Sequence, residues 1–204
     1  MARRLPPKGF GSSKLELAPI KTGTKWFRLY SSRYPAALGF GFSSSRFSDP
    51  RIKLPEKDRF GVIYFGSSLK VCFLERVLRD LRNGQIGDVP IPYAELEQLV
   101  CAEVTIDRPL NAVDLRGDSP IKMGVPTDAV RASSHRLGQR WSLAFWLHKQ
   151  RPHGILYPSR LNEEICLALY DVALPNVRVS RTLPFLQYTA EVTSLIREFN
   201  LAIV

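Results

Sequence analysis

The chain lacks the segments that would tie it to a membrane or to an oxidising compartment. None of its 204 residues fall in a run approaching the roughly 18 apolar residues a bilayer span needs. The basic opening Met1-Ala-Arg-Arg-Leu-Pro-Pro-Lys8 is followed by no apolar stretch of the kind that makes a signal peptide, so the expected location is the cytoplasm. Cysteine is scarce: Cys72, Cys101 and Cys166 are odd in number, far apart and embedded in apolar sequence, which suits buried free thiols and excludes a disulfide framework. The three histidines, His135, His148 and His153, form neither HxxH nor HExxH and stand beside no cysteine pair, so no metal site is expected. There is no Gly-x-Gly-x-x-Gly fingerprint, which argues against a Rossmann-held redox dinucleotide. Internal repeats, heptads and domain linkers are also missing, and the length suits one domain with a sizeable core.

Positive charge is plentiful but unevenly placed. The net charge is +10, yet residues 1–59 hold 13 Lys/Arg against 4 Asp/Glu, leaving the remainder near neutral. Such a basic half can attract RNA, DNA, a polyphosphate ligand or an acidic protein, and it is equally an ordinary solvated surface. Residues 1–23, mixing Arg, Lys, Pro, Gly and Ser without period, read as a basic N-terminal arm or loosely packed lead-in. Residues 24–204 form the domain proper.

Along that domain, Lys25–Tyr30 alternates as a strand with Trp26, Arg28 and Tyr30 on one face and Phe27 and Leu29 on the other. Residues 31–59 are irregular and rich in Ser, Gly and Pro, with aromatics interleaved around Arg46, the composition of a functional loop. Phe60-Gly-Val-Ile-Tyr64-Phe reads as a buried strand. The following Gly-Ser-Ser turn can cap an amphipathic helix that carries Glu75 at the edge of its apolar face. Pro90–Val100 reads as a short helical turn running into a strand to Ile106, and Arg108–Leu115 as an extended connector. A short helix opens at Pro126, and a longer one over Ser134–Lys149 is marked by Leu137, Trp141, Ala144, Phe145 and His148 at helical spacing. His153–Tyr157 is a strand stopped by Pro158, Ile165–Tyr170 an apolar strand, Asn176–Ser180 an edge strand, and Ala190–Phe199 a closing helix. Strands and helices mixed without βαβ spacing predict an α+β fold.

Each candidate functional residue also has an ordinary structural explanation. Glu75 stands four residues before Arg79, the orientation of a surface helix ion pair worth about 0.2–0.5 kcal/mol. Tyr64 suits a core tyrosine with its hydroxyl satisfied, Arg28 a salt-bridge partner on a strand face, and Ser159 a turn residue after Pro158. Taken together, however, Arg28 in Trp-Phe-Arg, Arg46 in Ser-Ser-Arg-Phe-Ser-Asp-Pro, Tyr64 in Gly-Val-Ile-Tyr-Phe, Glu75 in Cys-Phe-Leu-Glu-Arg-Val-Leu-Arg-Asp and Ser159 in Gly-Ile-Leu-Tyr-Pro-Ser-Arg fall in a familiar order. In this order, over residues 24–180, the chain resembles the RES domain family. The Asp107-Arg-Pro-Leu…Asp114-Leu connector and Gln139-Arg-Trp141 match as well, while Cys72-Phe73-Leu74 replaces smaller residues common before the glutamate.

The resemblance implies a single compact α+β domain similar to ADP-ribosyltransferases. It also implies an NAD-consuming toxin of a bacterial type II toxin–antitoxin pair, neutralised by an Xre-type helix-turn-helix antitoxin that covers the active site. A homodimer within such a complex is compatible with it, and DNA would be met only through the antitoxin. NAD would be substrate, with no resident cofactor. The matched residues imply Glu75, Arg28 and Ser159 as catalytic, and Arg46 and Tyr64 as binding NAD. The chemistry agrees: cleaving the nicotinamide–ribose bond develops positive charge on the sugar, which a carboxylate stabilises, and a pyrophosphate suits bidentate guanidinium. Tyr64 would stack on nicotinamide or bind ribose. The acceptor of the ADP-ribosyl group (water, phosphate or protein) stays open. Two other readings are a nucleic-acid-binding module without catalysis and a silent scaffold for an acidic partner.

Overall fold

The structure, a computed structural model, describes residues 5–81, 84 and 86–204. Its strands are β1 (Leu17–Ile20), β2 (Lys25–Ser31), β3 (Val62–Gly66), β4 (Val89–Ile91), β5 (Leu99–Ile106), β6 (Leu110–Asp114), β7 (Gly154–Pro158), β8 (Ile165–Tyr170), β9 (Val177–Pro184) and β10 (Leu201–Ile203). The helices are α1 (Leu69–Phe73), α2 (Tyr93–Glu97), α3 (Ser119–Lys122), α4 (Asp128–Arg131), α5 (Arg136–Trp146) and α6 (Thr189–Glu198). Eight strands make one sheet in the order β1-β6-β7-β8-β3-β2-β5-β9, and β4 pairs β10 beside it. No helix among the described residues is long and apolar enough to cross a membrane.

The sheet curls, and alternation along its strands sorts the core into three parts. Trp26 and Tyr30 of β2, Ile63 and Phe65 of β3, and Leu167 and Leu169 of β8 turn inward and pack on one another without a helix between them. The opposite side of the β6–β7–β8–β3 half, carrying Val113, Ile155, Tyr157 and Ala168, is covered by Trp141 and Phe145 of α5. The opposite side of the β2–β5 half, with Leu29 and Cys101, is covered by Phe73 of α1 and by Val192 and Leu195 of α6. The division of β2 into a Trp26/Arg28/Tyr30 face and a Phe27/Leu29 face is therefore the one its alternation predicts.

Between the two halves the sheet nearly parts. The register between β2 and β3 is one pair, Phe27 opposite Gly66, whereas β2 runs alongside β5 for seven residues. Gly66 permits this junction: a Cβ there would lie 2.5 Å from Val71 Cγ1 and 2.7 Å from Cys72 Sγ, so a side chain would push α1 away. Cys72 Sγ donates to the Phe27 carbonyl at 3.2 Å, satisfying an acceptor that the parting strands leave over. Burial pushes the Cys72 thiol well above its ordinary range, as expected for a structural cysteine.

Several local expectations need correction. The part of the lead-in that is described is not loose. Leu17–Ile20 pairs antiparallel with Leu110–Val113, and Phe10 is 6% exposed with its ring edge-on to Trp141 at 5.0 Å; Met1–Arg4 lie outside the described residues. Arg108–Leu115 is likewise no connector, because β6 runs between β1 and β7 in the sheet. Both misses have one cause: a strand's partner can be remote in sequence, and local pattern does not reveal it. Truncating a core phenylalanine costs about 3–5 kcal/mol. Phe10→Ala should therefore lower the denaturant midpoint by a corresponding amount; a loss within about 0.5 kcal/mol, the range of surface substitutions, would show that the segment is peripheral.

Candidate active site

The site forms where the sheet parts. Ser68 caps α1 by accepting from Val71 N at 3.1 Å, as the Gly-Ser-Ser turn predicts. The helix then widens into a π-helical turn, Leu74–Leu78, closed by Arg79 N donating to Leu74 O at 2.9 Å. Glu75 sits in this turn, a distortion that recurs at functional sites. Its carboxylate does not pair with Arg79, which reaches Asp80 at 3.3 Å instead. Ser159 Oγ donates to Glu75 Oε1 at 2.7 Å and accepts from Leu161 N at 3.1 Å. The same β7–β8 hairpin supplies Glu164, which accepts from the Ser68 hydroxyl and so grips the start of the same helix.

Facing Glu75 across a cavity of about 250 Å³ is the loop that carries Arg46. α5 holds this loop in place. Gln139 Nε2 donates to Ser45 O at 2.9 Å, and Ser142 Oγ donates to Phe47 O at 2.7 Å. Gly138 makes the close approach possible, since a Cβ there would meet Arg46 O at 2.6 Å and Ala129 O at 2.7 Å. Arg46 donates to Ala132 O at 2.6 Å; burial, and then the neighbouring Arg160, lower its pKa. From β3, the Tyr64 hydroxyl accepts from Phe47 N at 2.9 Å and shares a hydrogen with Ser45 Oγ at 2.9 Å. Burial pushes it up to about 12, so it stays protonated.

Of the residues singled out in the sequence, Glu75, Arg46 and Tyr64 line this one cleft. Ser159 is fully buried behind Glu75 and bonded to it, in the position of a residue that orients the carboxylate. Arg28 lies on the inward face of β2, donates to Ala37 O and Gly39 O, and stacks over Tyr30 at 5.5 Å. It lines a second cavity of about 570 Å³ that shares Leu29, Ser45, Tyr64 and Arg76 as a wall with the first. Sequence reasoning missed Arg76, Arg79, His135, Tyr157 and Arg160, which also line the Glu75 cleft. Four of the five are basic, all but His135 stand within the quoted motif stretches without having been given a role, and three separate segments contribute them. Among the described residues, no group of His, Cys, Asp and Glu could hold a metal ion. The result is one oriented carboxylate among four guanidiniums, an arrangement suited to an anionic substrate that develops local positive charge.

Comparison with known proteins bears on what this cleft is. A family model described as the RES domain matches residues 22–190. The chain belongs to the RES domain family. A relative from Sinorhizobium fredii (strain NBRC 101917 / NGR234), named probable toxin y4kH, is 46% identical over 127 residues, which are 62% of this chain and all of that one. Among solved structures, a chain of the M. tuberculosis MbcT–MbcA toxin–antitoxin complex superposes with a TM-score of 0.62 at 16% identity, covering 84% of this RES chain and 90% of that one. At that identity the likeness is one of fold. It agrees with the single α+β domain expected from the sequence.

Tyr64 gives a direct test of how the Arg46 loop is held. Tyr64→Phe keeps the ring and leaves Phe47 N–H without its acceptor, at a cost of about 1–3 kcal/mol. Faster hydrogen exchange at the Phe47 amide should accompany that loss. Unchanged exchange would mean that Gln139 and Ser142 hold the loop without Tyr64.

Proposed function

We propose that this RES protein is the toxin of a toxin–antitoxin pair and that it cleaves NAD at the nicotinamide–ribose bond. The observation that carries this reading is the Ser159-held carboxylate of Glu75 in a cleft lined also by four arginines. Departure of nicotinamide leaves an oxocarbenium-like sugar, and a fixed anion beside it stabilises the developing charge without first having to reorganise. Arg46 on one side of the shared wall, and Arg28 in the adjoining cavity, suit the two ends of a pyrophosphate-bearing dinucleotide. Tyr64, its hydroxyl already engaged by the loop, offers its ring to the substrate more readily than a hydrogen bond. The toxin role is supported by the name of the S. fredii relative and by the complex in which the structural neighbour was solved.

On this reading NAD is consumed and not retained, and the chain works in the cytoplasm. An Xre-type antitoxin neutralises it by covering the cleft, DNA is reached only through that partner, and the acceptor is water, phosphate or a protein. A nucleic-acid-binding module would leave the Ser159–Glu75 pair without a role.

The test is nicotinamide release from NAD by purified, antitoxin-free protein. Glu75→Gln, which keeps shape and removes charge, should slow release by about 10²-fold or more. Ser159→Ala, which leaves the carboxylate but frees it, should cost closer to ~10-fold, the equivalent of one hydrogen bond. Equal turnover by wild type and Glu75→Gln would sink the mechanism.

A further inference from the structure

We infer that His135 is the base that takes the proton from the group replacing nicotinamide. The inference rests on the NAD-cleaving reading and adds a residue to it. His135 lines the Glu75 cleft at the N-terminal boundary of α5 and is half-buried. Its imidazole makes no hydrogen bond to any side chain or backbone group among the described residues.

The other groups of the cleft are unsuited or occupied. Arg46, Arg76, Arg79 and Arg160 are permanently charged and have no lone pair to offer. Tyr64, Tyr157, Cys72 and Cys166 are held in their protonated forms by burial. Glu75 Oε1 accepts from Ser159, and its charge is needed at the sugar. His135 is left as the uncommitted proton acceptor.

The surroundings keep it neutral. Burial lowers its pKa, and Arg46 from the loop, Arg79 from the end of the π turn and Arg160 from the β7–β8 hairpin lower it further, opposed by Asp80. On its own stretch of chain, Arg136 adds positive charge, whereas Arg131 of α4 is tied to Glu163. An imidazole below its ordinary value of about 6.5 carries a free lone pair at neutral pH.

The proton balance calls for such a group. Nicotinamide leaves with the electron pair of the C–N bond and becomes neutral. The incoming hydroxyl forms the new C–O bond at the same carbon, its O–H bond breaks, and the proton passes to the imidazole, which returns it to solvent.

Nicotinamide release measured in phosphate-free buffer from pH 5 to 9 tests this. Wild-type kcat should rise through an apparent pKa below about 6.5 and then level. His135→Gln should be flat over that range and about 10²-fold or more slower at pH 8. Added imidazole should restore part of the rate to His135→Ala, a rescue that a structural role would not give. The inference is overturned if the variants keep the wild-type limb, or if they are slow with the limb intact and no rescue. Wild type that releases no nicotinamide even after phosphate and candidate protein acceptors are added removes the NAD reading and this inference with it; release that needs phosphate, or turnover with unaltered variants, removes only this one.

Discussion

The hydrogen bond from Ser159 to Glu75 fixes where the one carboxylate of the cleft points. A carboxylate on a helix next to Arg76 and Arg79 has an obvious alternative, which is to lie on the surface as an ion pair. Such pairs contribute about 0.2–0.5 kcal/mol on an exposed helix, whereas a hydrogen bond to a charged acceptor contributes about 1.5–3 kcal/mol. The magnitudes favour Ser159, and the geometry agrees: Glu75 is turned to the hairpin at 2.7 Å while Arg79 reaches Asp80. The hairpin also holds the helix at its first turn through Glu164 and Ser68, so the carboxylate has little freedom to swing. A hairpin between two central strands thereby sets the aim of a residue 84 positions away.

That grip matters because of where the sheet parts. A curled sheet whose inner face packs on itself leaves two outer faces, each needing its own helical cover, and α5 and the α1/α6 pair supply them. The boundary between the covers falls at the single Phe27–Gly66 pairing. Groups from both halves therefore converge there: Glu75 from one cover, the Arg46 loop clamped by the other, Tyr64 from the strand between them. The cleft is a consequence of the curl, and Gly66 and Gly138 are the positions at which backbone must come close enough for it to form.

How much of this was legible follows from the range of each signal. The Ser68 cap, the amphipathic α5 and the two faces of β2 are written within a few residues, and the structure agrees with them. β1 and β6 were missed because each depends on a partner about ninety positions distant in sequence. Ser159 was expected to be catalytic; its burial behind Glu75 and its bond to that carboxylate are the position of an orienting residue, which only the fold displays. Arg28 and Glu75 both belonged to the recognised pattern, yet strand alternation already put Arg28 beside Trp26 and Tyr30 on the inward face. The adjoining cavity is where that face leads. His135 lay in no motif, and Arg76, Arg79 and Arg160 stood within the matched stretches without a role in the cleft being evident, since convergence of long side chains from separate segments leaves no local trace.

The same convergence accounts for the electrostatics. Four guanidiniums around one carboxylate repel one another in the free protein, and the pKa values of Arg46 and His135 are lowered first by burial and then by the neighbouring guanidiniums. An anionic ligand relieves it, so the surplus that is unfavourable in the free protein becomes affinity once a phosphate-bearing substrate or an acidic partner enters. On the proposed reading the surplus also accounts for a single anchored carboxylate being enough: against a positive background, Glu75 would be the one place in the cleft to stabilise developing positive charge, restricting the reacting carbon to its neighbourhood while the arginines hold the rest of the substrate.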